Sequence, residues 1–145
     1  MKYADWEAPV PTDIRNDVLW SATVYRQALF VAKIGWEDIT KLAADSRTRS
    51  LADQLCRALG SISANFAEGY SRSTDKDRAR FFEYSLGSAR ESRDWYYKAE
   101  FALPEGVMEH RINLLMDIIR QLLVILNNLR KRTIREKGVR YEVDE

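Results

Sequence analysis

The chain has 145 residues, 46% of them apolar, so it has the length of one domain and can bury a sizeable core. Its 23 Lys and Arg against 22 Asp and Glu leave a formal charge of +1, which excludes a global field that would pull it onto nucleic acid or an acidic membrane; such a partner must be met by a local patch. Cys56 and His110 are each the sole residue of their type, which excludes an internal disulfide, a CxxC pair and the histidine-rich sites of zinc and di-iron enzymes.

The six glycines are never spaced as a phosphate-cradling loop, and no serine sits in a glycine-flanked elbow. No catalytic residue, metal or cofactor is therefore expected. Met1 to Glu7 lacks the apolar stretch of a secretory signal, and the longest branched-aliphatic run, Leu122 to Leu126, is too short to span a bilayer. A soluble, cytoplasmic protein with no membrane partner is expected.

Residues 1–12 read as an N-terminal extension. Prolines occur only at 9, 11 and 104, which leaves room for long helices near 13–44, 48–69, 74–102 and 104–134. In the first, Val18, Ala22, Tyr25, Leu29, Ala32, Trp36, Ile39 and Ala43 alternate four and three residues apart as a core-facing seam. In the second, Leu51, Leu55, Leu59, Ile62 and Phe66 repeat that spacing, and Gly69 reads as a left-handed C-terminal stop. Cys56 lies beside this seam and reads as a small buried hydrophobe.

Thr74 is the expected N-cap of the third helix, with Asp77 at the capping distance. Its seam, Phe82, Ser85, Ala89, Ser92, Tyr96, Ala99 and Leu103, is rich in small residues and permits close approach of a neighbour. Pro104 suits the first turn of the fourth helix, whose seam is Met108, Ile112, Leu115, Ile119, Leu122, Leu126 and Leu129. Residues 135–145 read as a C-terminal tail. Short connections place sequential helices side by side, which predicts an all-α, antiparallel up-down-up-down four-helix bundle.

The fourth helix carries more apolar surface than one core needs. From Val107 to Leu129, 14 of 23 residues are Val, Met, Ile or Leu, whereas a helix with one buried stripe needs about three in seven. Leu114, Ile118 and Ile125 form a row beside the main seam, and Leu123 lies on another with Met116. In the third helix Trp95, Tyr96 and Tyr97 point about 100° apart, so they cannot share one core. Self-association through Trp95, Tyr97, Leu114, Ile118, Leu123 and Ile125 is the expectation, with a groove for another protein's helix as the alternative.

Two motifs stand in order in the middle of the chain: Ser61-Ile62-Ser63-Ala64-Asn65-Phe66-Ala67-Glu68-Gly69-Tyr70 with Arg72, and Phe82 followed by Leu86-Gly87-Ser88-Ala89-Arg90-Glu91. The passage from Leu51 to Glu91 resembles the four-helix bundle family of proteins encoded in intervening sequences of 23S ribosomal RNA genes. Ser85 stands where that family usually has alanine, and the chain carries extra residues before the first helix. The resemblance implies a homo-oligomer, typically a pentameric ring, with no established enzymatic activity. It also implies kinship with the accessory proteins of diversity-generating retroelements, similar bundles that bind nucleic acid and a reverse transcriptase.

Asn65 and Glu68 share one helical edge, and Ser88 and Glu91 share another, so the four are expected to form an interhelical polar network that fixes register. The functional alternative makes Glu68 and Glu91 a general acid and base or a metal-ligand pair. A basic cluster, Arg130, Lys131, Arg132, Arg135, Lys137 and Arg140, closes the fourth helix, and Arg72, Lys76, Arg78 and Arg80 open the third. In the predicted topology both lie at one pole, where they would hold RNA or DNA by its phosphates. A helix C-terminus also favours cations without any ligand. The sequence therefore predicts a non-enzymatic oligomeric binding or scaffold protein engaging RNA or a nucleoprotein. The alternative is a structural assembly that recruits a protein partner, such as a reverse transcriptase, through surplus apolar faces.

Overall fold

The computed structural model describes residues 1–143, with side chains described for residues 1–132. The chain forms α1 (Tyr3–Glu7), α2 (Thr12–Arg15), a 3-10 turn (Val18–Ser21), α3 (Thr23–Ala44), α4 (Arg49–Tyr70), α5 (Asp75–Lys98), a second 3-10 turn (Glu100–Ala102) and α6 (Val107–Val143). Among the described residues there is no strand. The four long helices pack as a bundle: α4 lies against α3 and α5, and α6 completes the set against α5 and, less extensively, α3. The expected tail falls partly within the end of α6, and residues 144 and 145 lie outside the described residues.

The seams of α4, α5 and α6 meet in one core. Leu55, Leu59, Ile62 and Phe66 of α4 face Phe82, Ala89 and Tyr96 of α5 and Leu115, Leu122 and Leu126 of α6, all buried. The seven expected seam positions of α5, Phe82 to Leu103, are all buried. Ser85 shows what the departure from alanine does: its hydroxyl donates 2.7 Å to the carbonyl of Ile62, a buried hydrogen bond between α5 and α4. Thr74 caps α5 as expected, accepting from the amide of Asp77 at 3.2 Å.

The seam of α3 is not the expected one. Val24, Ala28, Val31, Gly35, Asp38 and Leu42 are buried, whereas Trp36 is 71% exposed. The true seam has the same spacing turned by one residue, about 100° around the helix. Packing distance explains the turn: a Cβ at Gly35 would stand 2.5 Å from Leu59 Cδ1 and 3.2 Å from the Tyr96 hydroxyl, so an indole has no room there.

The N-terminal segment also differs from a simple extension. The long helix starts at Thr23 rather than near residue 13, because residues 3–21 fold back over the outer side of α3. Trp6 is buried with Phe30 and Ile34, and Tyr3, Val10, Trp20, Leu29 and Leu114 pack around them. The Trp6 ring lies 5.5 Å from Phe30 and 5.9 Å from Trp20, so aromatic contacts close this second, smaller core.

Three further expectations are corrected. Gly69 is the penultimate residue of α4 and is not left-handed: among the described residues only Gly106 has a positive φ, in the turn before α6. That turn holds Pro104, so α6 begins at Val107 instead. Cys56 is exposed rather than buried. By length and composition Val107–Arg132 is apolar enough to cross a bilayer. Its Leu115, Ile118, Ile119, Leu122 and Leu126 are buried in the bundle, however, which is the pattern of a core helix.

Two glycines test the packing account from the open side. A Cβ at Gly60 in α4 or Gly87 in α5 would meet nothing within 4 Å. Alanine at either position is expected to stabilise the fold by about 0.5–1 kcal/mol, because it restricts the unfolded chain and favours helix. A rise in Tm for both single variants, and a larger rise for the pair, checks this.

Candidate functional site

The start of α5 and the end of α6 meet at one pole. Arg132 grips Asp75 with two nitrogens, Nη2 at 2.7 Å and Nε at 3.1 Å, and Arg130 Nη2 reaches Glu83 at 3.1 Å. These pairs join residues about fifty positions apart in sequence, so the two basic clusters converge as expected. Helix propensity and capping fix the geometry locally: Thr74 starts α5, and its first turn carries Asp75 and Asp77 where the macrodipole favours acids.

The pole holds seven described basic side chains, Arg72, Lys76, Arg78, Arg80, Arg130, Lys131 and Arg132, against Glu68, Asp75, Asp77 and Glu83. Several of the arginines have internal partners. Arg72 is paired with Glu68 and lies over the Phe81 ring at 4.7 Å. Arg78 donates 2.8 Å to the carbonyl of Arg72 and stands 3.9 Å from Asp75. Arg80 also lies over the Phe81 ring, at 5.2 Å. Lys76, Arg80 and Lys131 have no carboxylate partner among the described residues, and Lys76, Arg80 and Arg130 line a groove of about 430 Å³ together with the acids Asp75 and Glu83 and with Ala79 and Leu129. The side chain of Arg135 lies outside the described residues.

The four residues expected to form an interhelical polar network do not bond to one another. The Asn65 amide donates to its own helix at Ser61, Glu68 pairs with Arg72, Glu91 accepts from the Trp95 indole at 3.2 Å, and the carbonyl of Ser88 accepts from Ser92. Each contact spans one helical turn, so the local partner wins over the distant one. Glu68 and Glu91 are likewise not brought together as an acid and base.

A different polar network crosses the bundle. Asp38 of α3 is 2% exposed and accepts from the Tyr96 hydroxyl of α5 at 2.6 Å and from Arg111 of α6, Nε at 2.8 Å and Nη2 at 3.2 Å. Three helices are thereby tied at one carboxylate. Burial, together with the neighbouring Asp38 charge, pushes the Tyr96 hydroxyl far above its ordinary pKa, so it remains a donor throughout the accessible pH range. Burial pulls the Arg111 pKa down, but the hydrogen bonds and charge of Asp38 outweigh it and hold the guanidinium charged. The signal for this network in the sequence is an acid at seam spacing from Gly35 and Leu42.

The expected interface residues divide. Ile118 is 0% exposed and belongs to the bundle core, so it is not a surface residue of the protomer. Leu114 is shared between the two cores. Trp95 and Ile125 are half-buried against the main core, whereas Tyr97 and Leu123 are exposed. Val124 and Phe101, outside the expected set, are exposed as well.

This is a helical bundle whose sequence hallmarks pack α4 against α5 and whose two basic clusters meet at one pole. The chain belongs to the 23S rRNA-intervening sequence protein family, whose model matches residues 21–128. Among solved structures it is similar to a protein of unknown function from the S23 ribosomal protein family of Bacteroides thetaiotaomicron, with 20% identity and a TM-score of 0.67 over 72% of this chain and 98% of that one. At that identity the likeness concerns the fold. Comparison with curated proteins finds no match.

Proposed function

We propose that the chain is a non-enzymatic scaffold that assembles with copies of itself as an up-down-up-down bundle and engages RNA, free or in a nucleoprotein, through the pole where α5 begins and α6 ends. The observation that carries this reading is the convergence of two distant basic clusters, with Lys76, Arg80 and Lys131 unmatched by carboxylates among the described residues. Their ammonium and guanidinium groups suit phosphate contacts, which bind with little sequence preference and strong salt dependence. Membership in a family named for a ribosomal RNA gene insertion supports RNA and a cytoplasmic setting. Repetition of the pole around an oligomer, a pentamer by the resemblance, would multiply weak contacts into useful affinity.

Filter binding to a structured 23S rRNA fragment at low and moderate salt tests the reading. The double variant Lys76→Glu/Lys131→Glu leaves the Arg130–Glu83 and Arg132–Asp75 pairs intact. It is expected to lower the slope of log affinity against log salt by about 1.5, from roughly 0.7–0.9 for each phosphate no longer neutralised. Failure of the wild-type protein to bind at low salt ends the proposal. Sedimentation velocity at micromolar concentration reads the assembly half, for which a monomer is the contrary result. The rival reading, recruitment of a protein partner, is supported by exposed Leu123 and Val124 on one side of α6.

A further inference from the structure

A cleft of about 490 Å³ lies on the side of α3 away from the core, lined by Met1, Lys33, Ile34, Trp36, Glu37 and Arg111. Its volume falls in the range that holds small ligands. It is distinct from the basic pole: Arg111 and Arg130 are about 30 Å apart along α6 at 1.5 Å per residue.

The cleft combines a flat apolar face with one cation fixed in place, Arg111, and one free to move, Lys33. Trp36 presents its indole to solvent. Arg111 is held rigidly because Asp38 takes Nε and Nη2, and Nη1 stands 2.7 Å from His110 Nδ1. A guanidinium carries donors only, so Nδ1 is the acceptor in this contact. Three of the five N–H groups are thereby engaged and two remain. Desolvation, followed by the Arg111 charge, lowers the His110 pKa, and the Asp38 charge opposes the shift. Of the remaining charges, Glu37 is occupied by Lys41 at 3.0 Å, and Lys33 has no carboxylate partner among the described residues. Tying α3, α5 and α6 together requires Asp38, Tyr96 and Arg111, but it gives no reason for an exposed indole and an unmatched lysine beside them.

We infer that this cleft binds a small anion carrying a flat ring, the chemistry shared by a nucleoside monophosphate and an aromatic carboxylate. The ring stacks on Trp36, and the anionic group takes Lys33 and the remaining N–H groups of Arg111. No bond is made or broken, and the site stands or falls independently of RNA binding at the pole.

His110 is the sole histidine, so its ring resonance in proton NMR reports on Arg111 without assignment. Titration with AMP, with benzoate and with inorganic phosphate is the test. A saturable shift with AMP or benzoate is expected, together with a raised His110 pKa, because the bound anion offsets the Arg111 charge. The two arms separate a phosphate-bearing from a carboxylate-bearing ligand. Trp36→Ala and Lys33→Ala, both on exposed positions, should each weaken binding by about tenfold or more. Lys76→Glu/Lys131→Glu should leave it unchanged. Absence of a saturable shift with both ring anions at millimolar concentration overturns the inference. Inorganic phosphate binding as tightly as AMP also overturns it, as does a Trp36→Ala variant that alters sedimentation while retaining ligand.

Discussion

Replacing Asp38 with alanine is expected to destabilise the fold by about 3–5 kcal/mol, the loss typical of removing one partner from a buried ion pair. The variant leaves the Arg111 guanidinium with one edge in the bundle and no counter-charge, and it strands the fully buried Tyr96 hydroxyl. Neither group escapes easily: Tyr96 lies at the centre of the core, and the Arg111 side chain is only 15% exposed. Urea unfolding followed by circular dichroism measures the loss as a fall in midpoint at unchanged slope. A change under about 1 kcal/mol would show that Arg111 swings out to water and that the network does not hold the three helices. Removing all three groups together, as Asp38→Leu/Tyr96→Phe/Arg111→Met, should cost far less than the single change, because buried charge is then absent rather than unpaired.

Alanine at Gly69 is expected to destabilise by about 1–3 kcal/mol, opposite in sign to its effect at Gly60 and Gly87. Helix propensity alone favours alanine here by about 1 kcal/mol. The added Cβ, however, would stand 2.8 Å from two Phe82 ring carbons and 2.9 Å from the Cβ of Phe81. The Phe82 ring is stacked on Phe66 at 4.7 Å and is buried, and a Cβ cannot move without its backbone. Gly35 meets the end of the Leu59 side chain at 2.5 Å and the Tyr96 hydroxyl at 3.2 Å, far ends of side chains rather than a Cβ, so its alanine variant should lose less. Thermal unfolding of Gly69→Ala, Gly35→Ala and Gly60→Ala gives the order directly; a Gly69→Ala protein as stable as Gly60→Ala would refute the close approach of α4 and α5.

The four long helices and the seams of α4, α5 and α6 were legible because the apolar spacing of those seams was strong, although the two short helices before α3 were not. The small residues Ser85, Ala89 and Ser92 correctly marked where α5 comes close to its neighbours. For α3 two faces competed. A reading that weights size prefers Trp36 and Ile39, but the bundle takes Gly35 and Asp38, since space at a close crossing favours the smallest residue and a satisfied acid can sit in a core. Residues 3–21 misled for a related reason: Phe30 and Ile34 were surplus to one core, and nothing local showed that Trp6 and Trp20 would cover them.

The polar expectations failed where a local partner was available. Glu68 has Arg72 one turn away and Glu91 has Trp95, so neither reaches across helices. The basic pole was legible because it followed from helix order alone. The internal neutralisation of Arg130 and Arg132 was not, because it depends on register between α5 and α6. Ile118 was placed on the wrong side for the same reason that α3 was: α6 buries a wider arc than one stripe, and Ile118 lies within it.

The folded-back N-terminal segment restricts how copies of the molecule can meet. It precedes the stretch shared with the family, residues 21–128, yet Trp6 occupies the patch formed by Phe30 and Ile34 and its cluster reaches Leu114 on α6. A flank sealed by its own chain offers little for a neighbour to dehydrate, which leaves the apolar side chains outside that cover, Leu123 and Val124 of α6 among them, as the oily surface available to a second copy.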